Sequence, residues 1–345
     1  MEVGLILGTG DAHFRVNMEL VKAAESMGFH SVWTSEAWGA DAISPAAWIL
    51  SQTTRIKVGT GICQMQARSP SLMATTTLTL QAMSGGRFIL GLGPSGPQVI
   101  EGWHGVRYGK PLGLIREYVE IMRKVIAREE PVTHKGEHYS LPYDGPDATG
   151  LGKPLKTILR PEHPVKIYSA SISPGGIRTA AEICDGVIPV YMDPTNYDAI
   201  GTYIDQGFAK VPGKSLQNFD VCPFVSVFLN DDIEAARRPV KENMGFYIGG
   251  MGAKKKNYYA EYATRLGFGE QAGAIQDAFL SGRRAEAFSM VPDELVDNVA
   301  LAGPAGHIRE RLSTWKQAGK DRKVSSMLCR VGSTAELELL AKELL

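Results

Sequence analysis

Residues 3–34 read VGLILGTGDAHFRVNMELVKAAESMGFHSVWT. Val3–Leu7 is a short apolar run closed by Gly8-Thr9-Gly10, which predicts a strand and a turn. Val16, Leu20, Ala23, Ala24 and Met27 then recur at helical spacing, and Gly28 follows as a stop signal. Ser31–Thr34 resumes as an extended run. A strand, a helix and a second strand in so short a span form a βαβ unit, whose strands lie parallel.

The same rhythm continues outward. Pro45–Leu50 predicts a short helix, Ile56–Thr60 a third strand, and Ser71–Met83 a helix stopped by Gly85-Gly86. Arg87–Leu92 predicts strand four and Leu114–Arg128 a long helix, with Ile115, Tyr118, Val119, Met122 and Ile126 on its inner face. In the second half, Val165–Ser169, Gly186–Val190, Val221–Phe228 and Met327–Val331 predict strands five to eight. Helices are expected at Ile177–Ile183, Tyr197–Phe208 and Ala335–Leu345. Such alternation implies a parallel sheet with crossover helices. Eight units in one chain favour a (β/α)8 TIM barrel over an open sheet, so residues 1–345 are expected to form a single domain. Two stretches break the rhythm. Pro131–Pro164, rich in proline and glycine, reads as an insertion after strand four and its helix. Glu234–Asn298 is mostly helical and reads as an insertion between strands seven and eight. Both are expected to shape the substrate pocket.

Composition narrows the function. The 37 basic residues balance 37 acidic ones, which argues against an electrostatic nucleic-acid binder. The four cysteines, Cys63, Cys184, Cys222 and Cys329, lie far apart with no C-x-x-C spacing, against a zinc ribbon or a disulfide framework. The opening MEVGLILGTGDAHF has no basic n-region and no signal-length apolar core. No apolar run approaches the roughly 20 residues needed to span a bilayer. A cytoplasmic protein without membrane insertion is expected.

Chemistry in a barrel gathers at the C-terminal ends of its strands. Those ends are rich in small residues here: Gly8-Thr9-Gly10, Ser35–Trp38, Gly59–Gln64, Gly91–Gly96 and Ser169–Gly176. Small residues let a planar ligand approach the backbone, and a helix N-terminus offers free N–H groups to a phosphate. Ser171-Ile172-Ser173-Pro174-Gly175-Gly176 is the best candidate for that cradle, with ordinary turn chemistry as the alternative. The histidines show no H-E-x-x-H, and His134 and His138 fall in the first insertion, so no metal site is expected. Neither a G-x-S-x-G elbow nor a P-loop is present. Lys254-Lys255-Lys256 reads as a solvated face, and nothing suggests that the Cys63 thiolate is activated.

Longer motifs are more specific. Ser31–Glu36, Arg55–Ile62 and Met83–Gly93 resemble the bacterial-luciferase-like superfamily. Ser95–Trp103, Gly150–Lys153, Ala181–Gly186, Lys255–Tyr259 and Val291–Asp297 resemble its coenzyme F420-dependent oxidoreductase branch. The resemblance spans nearly the whole chain. It implies a barrel that binds the deazaflavin F420, or FMN in sister branches, at its C-terminal mouth, and it favours a homodimer. It also implies a non-prolyl cis peptide under the cofactor ring, matched here by Gly61–Ile62, with Gln64 beside it. Polar contacts after strand four match Ser95 and Gly96, and a phosphate loop after strand five matches Ile172, Ser173, Gly175 and Gly176. Before Arg178 that loop holds no arginine or lysine, which suits a phosphodiester better than the FMN phosphate. The acidic position after strand two matches Glu36, the candidate catalytic residue. It could donate a proton or orient a substrate, or else anchor the cofactor. Burial against Trp38 would favour its protonated form, and Trp38 and Trp103 are expected to wall the pocket.

Departures limit the substrate. Sugar-phosphate dehydrogenases of this family carry Asp-His after strand two and Thr-Gly-Glu after strand four. This chain has Glu36-Ala37 and Ser95-Gly96-Pro97, and oxidation of a sugar alcohol needs a positioned base. The expected activity is hydride transfer between the deazaflavin C5 and a small organic molecule. An FMN-dependent monooxygenase and a non-catalytic deazaflavin-binding barrel are the alternatives.

Overall fold

The computed structural model describes residues 1–8, 13–252 and 256–345. Thr9 and Gly10 of the first strand-end turn, and Lys254 and Lys255 of the lysine run, lie outside the described residues. Eight parallel strands follow one another around a curled sheet: β1 (Glu2–Ile6), β2 (Ser31–Thr34), β3 (Lys57–Thr60), β4 (Phe88–Gly93), β5 (Ile167–Ala170), β6 (Gly186–Ile188), β7 (Phe224–Leu229) and β8 (Ser326–Arg330). Gly4 sits opposite Ser31, Val58 opposite Phe88, Leu90 opposite Ile167, and Glu2 opposite Ser326.

Strand seven, expected as one run over Val221–Phe228, is divided. Asp220–Val221 pairs with β6, whereas Phe224–Leu229 pairs with β8. Pro223, at the break, has no N–H to donate. Its carbonyl accepts from Leu328 N at 2.9 Å, and Phe224 N donates to Pro189 O at 2.9 Å. One segment thus bonds both flanks of the sheet and closes the barrel.

The crossover helices are α1 (Met18–Met27), α2 (Ile43–Gln52), α3 (Pro70–Ser84), α4 (Pro111–Ala127), α5 (Pro174–Ile183) and α6 (Asp198–Phe208). Gly28 and Gly85 end α1 and α3 in the left-handed conformation, at φ 94° and 65°, as their stop signals predict. The insertion after β7 holds α7 (Ile233–Gly250), α8 (Tyr258–Arg265), α9 (Gly269–Leu280), α10 (Arg284–Ser289) and α11 (Asp293–Val299). A short strand, Leu301–Gly303, pairs with β7 before α12 (Ala305–Lys320) crosses back. Helix α13 (Thr334–Leu344) follows β8.

Apolar side chains form two shells. Most fill the space between sheet and helices. A smaller set, Ile6, Trp33, Ile89, Tyr168, Ile188, Cys222 and Leu328, plugs the barrel interior. Trp33 stacks on Tyr168 with ring centroids 6.1 Å apart. The indole fits because β3 offers glycine beside it: a Cβ on Gly59 would lie 2.4 Å from Trp33 Cε3.

The first insertion leaves the C-terminal end of α4 and runs back along the outside of that helix to its N-terminal end, where Lys110 Nζ donates to Glu137 Oε1 at 2.8 Å. Glu117 of α4 accepts from the backbone N–H groups of Glu137, His138 and Tyr139, and the far end returns where Gln81 donates to Pro164 O at 2.7 Å. Tyr139 of the insertion packs edge to face on Tyr118, whose hydroxyl donates to Arg68 O at 3.0 Å.

Candidate functional site

Three loops meet at the C-terminal ends of β2, β3 and β4, and one buried carboxylate and one buried amide tie them together. Glu36, two residues past β2, is 5 % exposed in its side chain. Its Oε1 accepts from Arg68 Nη1 at 2.6 Å and from Gln64 N at 2.7 Å, and its Oε2 accepts from Ala42 N at 2.9 Å. Burial works against the Arg68 charge, yet the Glu36 carboxylate outweighs it and holds the guanidinium pKa above its ordinary value. Burial likewise works to raise the pKa of neighbouring Asp41, but hydrogen bonds from Ser44 and Ile43 leave it low. Trp38 does not bury Glu36, since its indole is 60 % exposed, and Trp103 is 66 % exposed. Both Glu36 oxygens are committed to protein donors, so the expected proton-donor role finds no support in this geometry.

The Gly61–Ile62 peptide is cis, as the resemblance implies. Just beyond it, Cys63-Gln64 pairs with the end of β4, Gln64 lying opposite Gly93. The Gln64 side chain is the hub. Its Nε2 donates to Ala37 O and Ser95 Oγ, each at 3.2 Å. A backbone carbonyl can only accept, so Oε1 faces His104 Nε2, 2.6 Å away, and that nitrogen carries the hydrogen. Ser95 sits in the left-handed region at φ 54°, and its carbonyl accepts from Tyr108 Oη at 3.2 Å. Gly96 begins the single helical turn Pro97–Ile100. Cys63 is buried, and burial, followed by the nearby Glu36 charge, pushes its thiol up to about 12. It is inert, as expected.

The second group lies at the end of β5, beside β4. Ser173 caps α5, accepting from Gly176 N at 3.1 Å, and Pro174 occupies the first turn, where a missing N–H costs nothing. The Gly175 amide, also in that turn, has no acceptor within the helix. Gly176 is closely packed: a Cβ there would lie 2.0 Å from Ser171 Oγ, so the serine side chain would have to turn away. From the far side of the chain, α8 brings Arg265, whose Nη2 donates to Ile172 O. Its guanidinium lies 5.0 Å from the Tyr262 ring centre, and its Nε is buried with no partner. Arg265 thus sets a cation beside Ile172, whereas the loop itself holds none before Arg178.

Helices α7 and α8 roof the mouth. Tyr247 and Tyr259 pack edge to face at 4.7 Å, and both lie against Tyr191, whose hydroxyl donates to Asn243 Oδ1 at 2.5 Å. Burial pushes the Tyr191 and Tyr259 phenols up, so both stay protonated. The structure thus joins Glu36, Gln64 and Ser95 in one hydrogen-bonded network, with Gly61, Ile62 and Gly96 next to its members in the chain, and gathers Ile172, Ser173, Gly175 and Gly176 at the start of α5. Sequence reasoning missed Arg68, His104, Tyr108 and Arg265. Each is remote in the chain from the strand end it serves.

Three comparisons bear on this arrangement. The family model for luciferase-like monooxygenases matches residues 1–322. The chain is 43 % identical over 345 residues to Rv3520c of Mycobacterium tuberculosis, classed by name with the coenzyme F420-dependent oxidoreductases, covering 99 % of this chain and 98 % of that one. It is 28 % identical over 332 residues to the 5,10-methylenetetrahydromethanopterin reductase of Archaeoglobus fulgidus, covering 94 % and 93 %. Among solved structures, the F420-dependent tetrahydromethanopterin reductase of Methanopyrus kandleri superposes with a TM-score of 0.77 at 22 % identity, covering 99 % and 97 %. An F420-dependent secondary alcohol dehydrogenase holding an F420–acetone adduct gives 0.75 at 16 %, covering 99 % and 98 %. These two structures bear on the fold, which is the same barrel.

Proposed function

Because the chain belongs to the luciferase-like monooxygenase family, we propose that it is a coenzyme F420-dependent oxidoreductase transferring hydride between the cofactor and a small organic substrate. The observation that carries this reading is Arg265: a cation over the α5 N-terminus with a buried, unpartnered Nε, in a chain whose relatives use F420. An anion at Ser173, Gly175 and Gly176 would satisfy that nitrogen and the first-turn amides together. Ile172 would pack beside it. Gly61 and Ile62 would carry the ring, with Gln64, Ser95 and Gly96 along its polar edge.

Bound there, the deazaflavin supplies or accepts hydride at its C5. The protein's own residues orient it, exclude water and move the balancing proton. Glu36 acts as a positioning residue: it fixes Gln64 and Arg68, and Gln64 in turn fixes His104. With Nε2–H given to Gln64, Nδ1 is the His104 nitrogen left to relay the balancing proton. Tyr191, Tyr247 and Tyr259 form the dry roof.

Residues 1–345 act as one domain on this reading, supported by a single outer core that runs from Val3 to Leu340. A homodimer is part of the proposal. Among the described residues no helix is long and apolar enough to cross a membrane. All four cysteines are free and buried, which suits the reducing cytoplasm proposed as its location. The test is transfer itself. Reduced F420 carrying deuterium at C5 should deliver the label to a product found by screening carbonyl and imine acceptors. Conversion of an acceptor with label lost only to water would refute direct hydride transfer.

A further inference from the structure

Below the Trp33–Tyr168 layer, at the ends of the strands opposite the mouth, lies a cavity of about 460 Å³. That is room for a small ligand rather than one bridging water. Its charged residues come from the beginnings of the strands, and they form two chains. Glu2 Oε2 lies 3.0 Å from His30 Nδ1, and Lys57 Nζ lies 3.0 Å from His30 Nε2. An ammonium can only donate, so Nε2 accepts from Lys57, while Nδ1 faces Glu2. Across the cavity, Asp220 Oδ2 accepts from Lys166 Nζ at 2.5 Å and from Tyr168 Oη at 2.6 Å.

Both carboxylates therefore have close partners, but two cations are not met by carboxylates. Lys57 reaches Glu2 only through His30. Among the described residues no carboxylate oxygen lies within 4.0 Å of Lys57 or Arg322. Arg322 makes only long contacts, 3.4 Å each, to Leu216 O and Gln217 O. Ser326, 4 % exposed in the same wall, has a hydroxyl with no partner. A cation entering here would meet Lys57, Lys166 and Arg322, whereas an anion would pair charges that the fold leaves open.

We propose that this cavity is a second ligand site, binding a small multivalent oxyanion of the phosphate or polycarboxylate class through Lys57, Arg322 and Ser326. It is separated from the mouth by the interior plug and does not depend on the F420 reading.

The test is calorimetry and thermal shift with sodium phosphate, and separately sodium citrate, against sodium chloride of equal ionic strength. At least one oxyanion should bind and raise Tm in a concentration-dependent way. Phosphate alone would assign the phosphate class, and citrate alone the carboxylate class. Because the mouth is also proposed to hold a phosphodiester, Ser173→Ala serves as the control. Binding should weaken at least tenfold in Lys57→Met and in Arg322→Met and persist in Ser173→Ala. Folding of each variant is checked by Tm in chloride. Should Lys57→Met fail to fold, Arg322→Met, at an exposed side chain, carries the test alone. No binding of either anion, or binding lost in Ser173→Ala and kept in Lys57→Met or Arg322→Met, would overturn the proposal.

Discussion

Replacing Arg265 with methionine separates cofactor recognition from fold. The substitution keeps an unbranched apolar stem against Tyr262 and Tyr203, whose ring centres lie 5.0 and 5.8 Å from the guanidinium carbon. It removes the hydrogen bond to Ile172 O and the buried Nε. In the free protein these losses offset each other, because an unsatisfied buried donor costs about 1–3 kcal/mol. Tm should change little. In the complex the variant loses a charge-assisted bond to the phosphodiester, worth about 1.5–3 kcal/mol, so the F420 Kd should rise roughly 10–150-fold. The assay is fluorescence titration with F420, repeated with a deazaflavin headgroup lacking the phosphodiester. The headgroup should bind wild type and variant alike, and the salt dependence of F420 binding should flatten. An F420 Kd within twofold of wild type, in a variant of unchanged Tm, would refute the assigned cradle.

Glu36→Gln should destabilise the fold by at least about 2 kcal/mol, because it breaks a buried ion pair, and should weaken F420 binding; unchanged Tm with turnover down about 10²–10⁴-fold would restore the carboxyl as the proton donor. His104→Asn should leave F420 affinity nearly intact and lower steady-state turnover by about 10²-fold or more, whereas unchanged turnover would exclude His104 Nδ1. Glu182 should make stability fall in acid: a hydrogen bond from Arg116, then Lys210, outweighs burial and holds its pKa at about 2, against an ordinary 4.5. Its contribution is complete above pH 4.5 and lost as pH falls toward 2. It amounts to at most about 3 kcal/mol, nearer 1 after solvent screening at half-open Arg116, so denaturant melts of Glu182→Gln should show a shallower acid slope than wild type. Gly59→Ala, with a Cβ 2.4 Å from the Trp33 ring, should lower stability by about 1–3 kcal/mol or more, and a neutral Tm would contradict the interior packing.

The barrel was legible because each crossover repeats a local pattern: apolar run, small-residue turn, helical face, glycine stop. Gly28 and Gly85 end their helices where the pattern places them. The division of strand seven carried a signal as well. Pro223 cannot donate to a ladder, and its place inside the apolar run marks the break. Glu36, Gln64, Ser95 and Ser173 were legible because each directly follows a strand, where a barrel puts its chemistry. Arg68, His104 and Arg265 were not, since what matters for them is a contact made across 32 to 93 residues of chain. Local patterns carry no record of such contacts. The exposure of Trp38 was not legible for the same reason: an apolar ring near a strand end in sequence need not be packed in space.

Whether the mouth is built for F420 can be measured directly. Calorimetric titration of the purified protein with F420, and in parallel with FMN, tests it without knowledge of the substrate. F420 should bind saturably at one site per chain, at least tenfold tighter than FMN, and more weakly in Arg265→Met. FMN binding at micromolar affinity with no F420 binding would contradict the F420 reading.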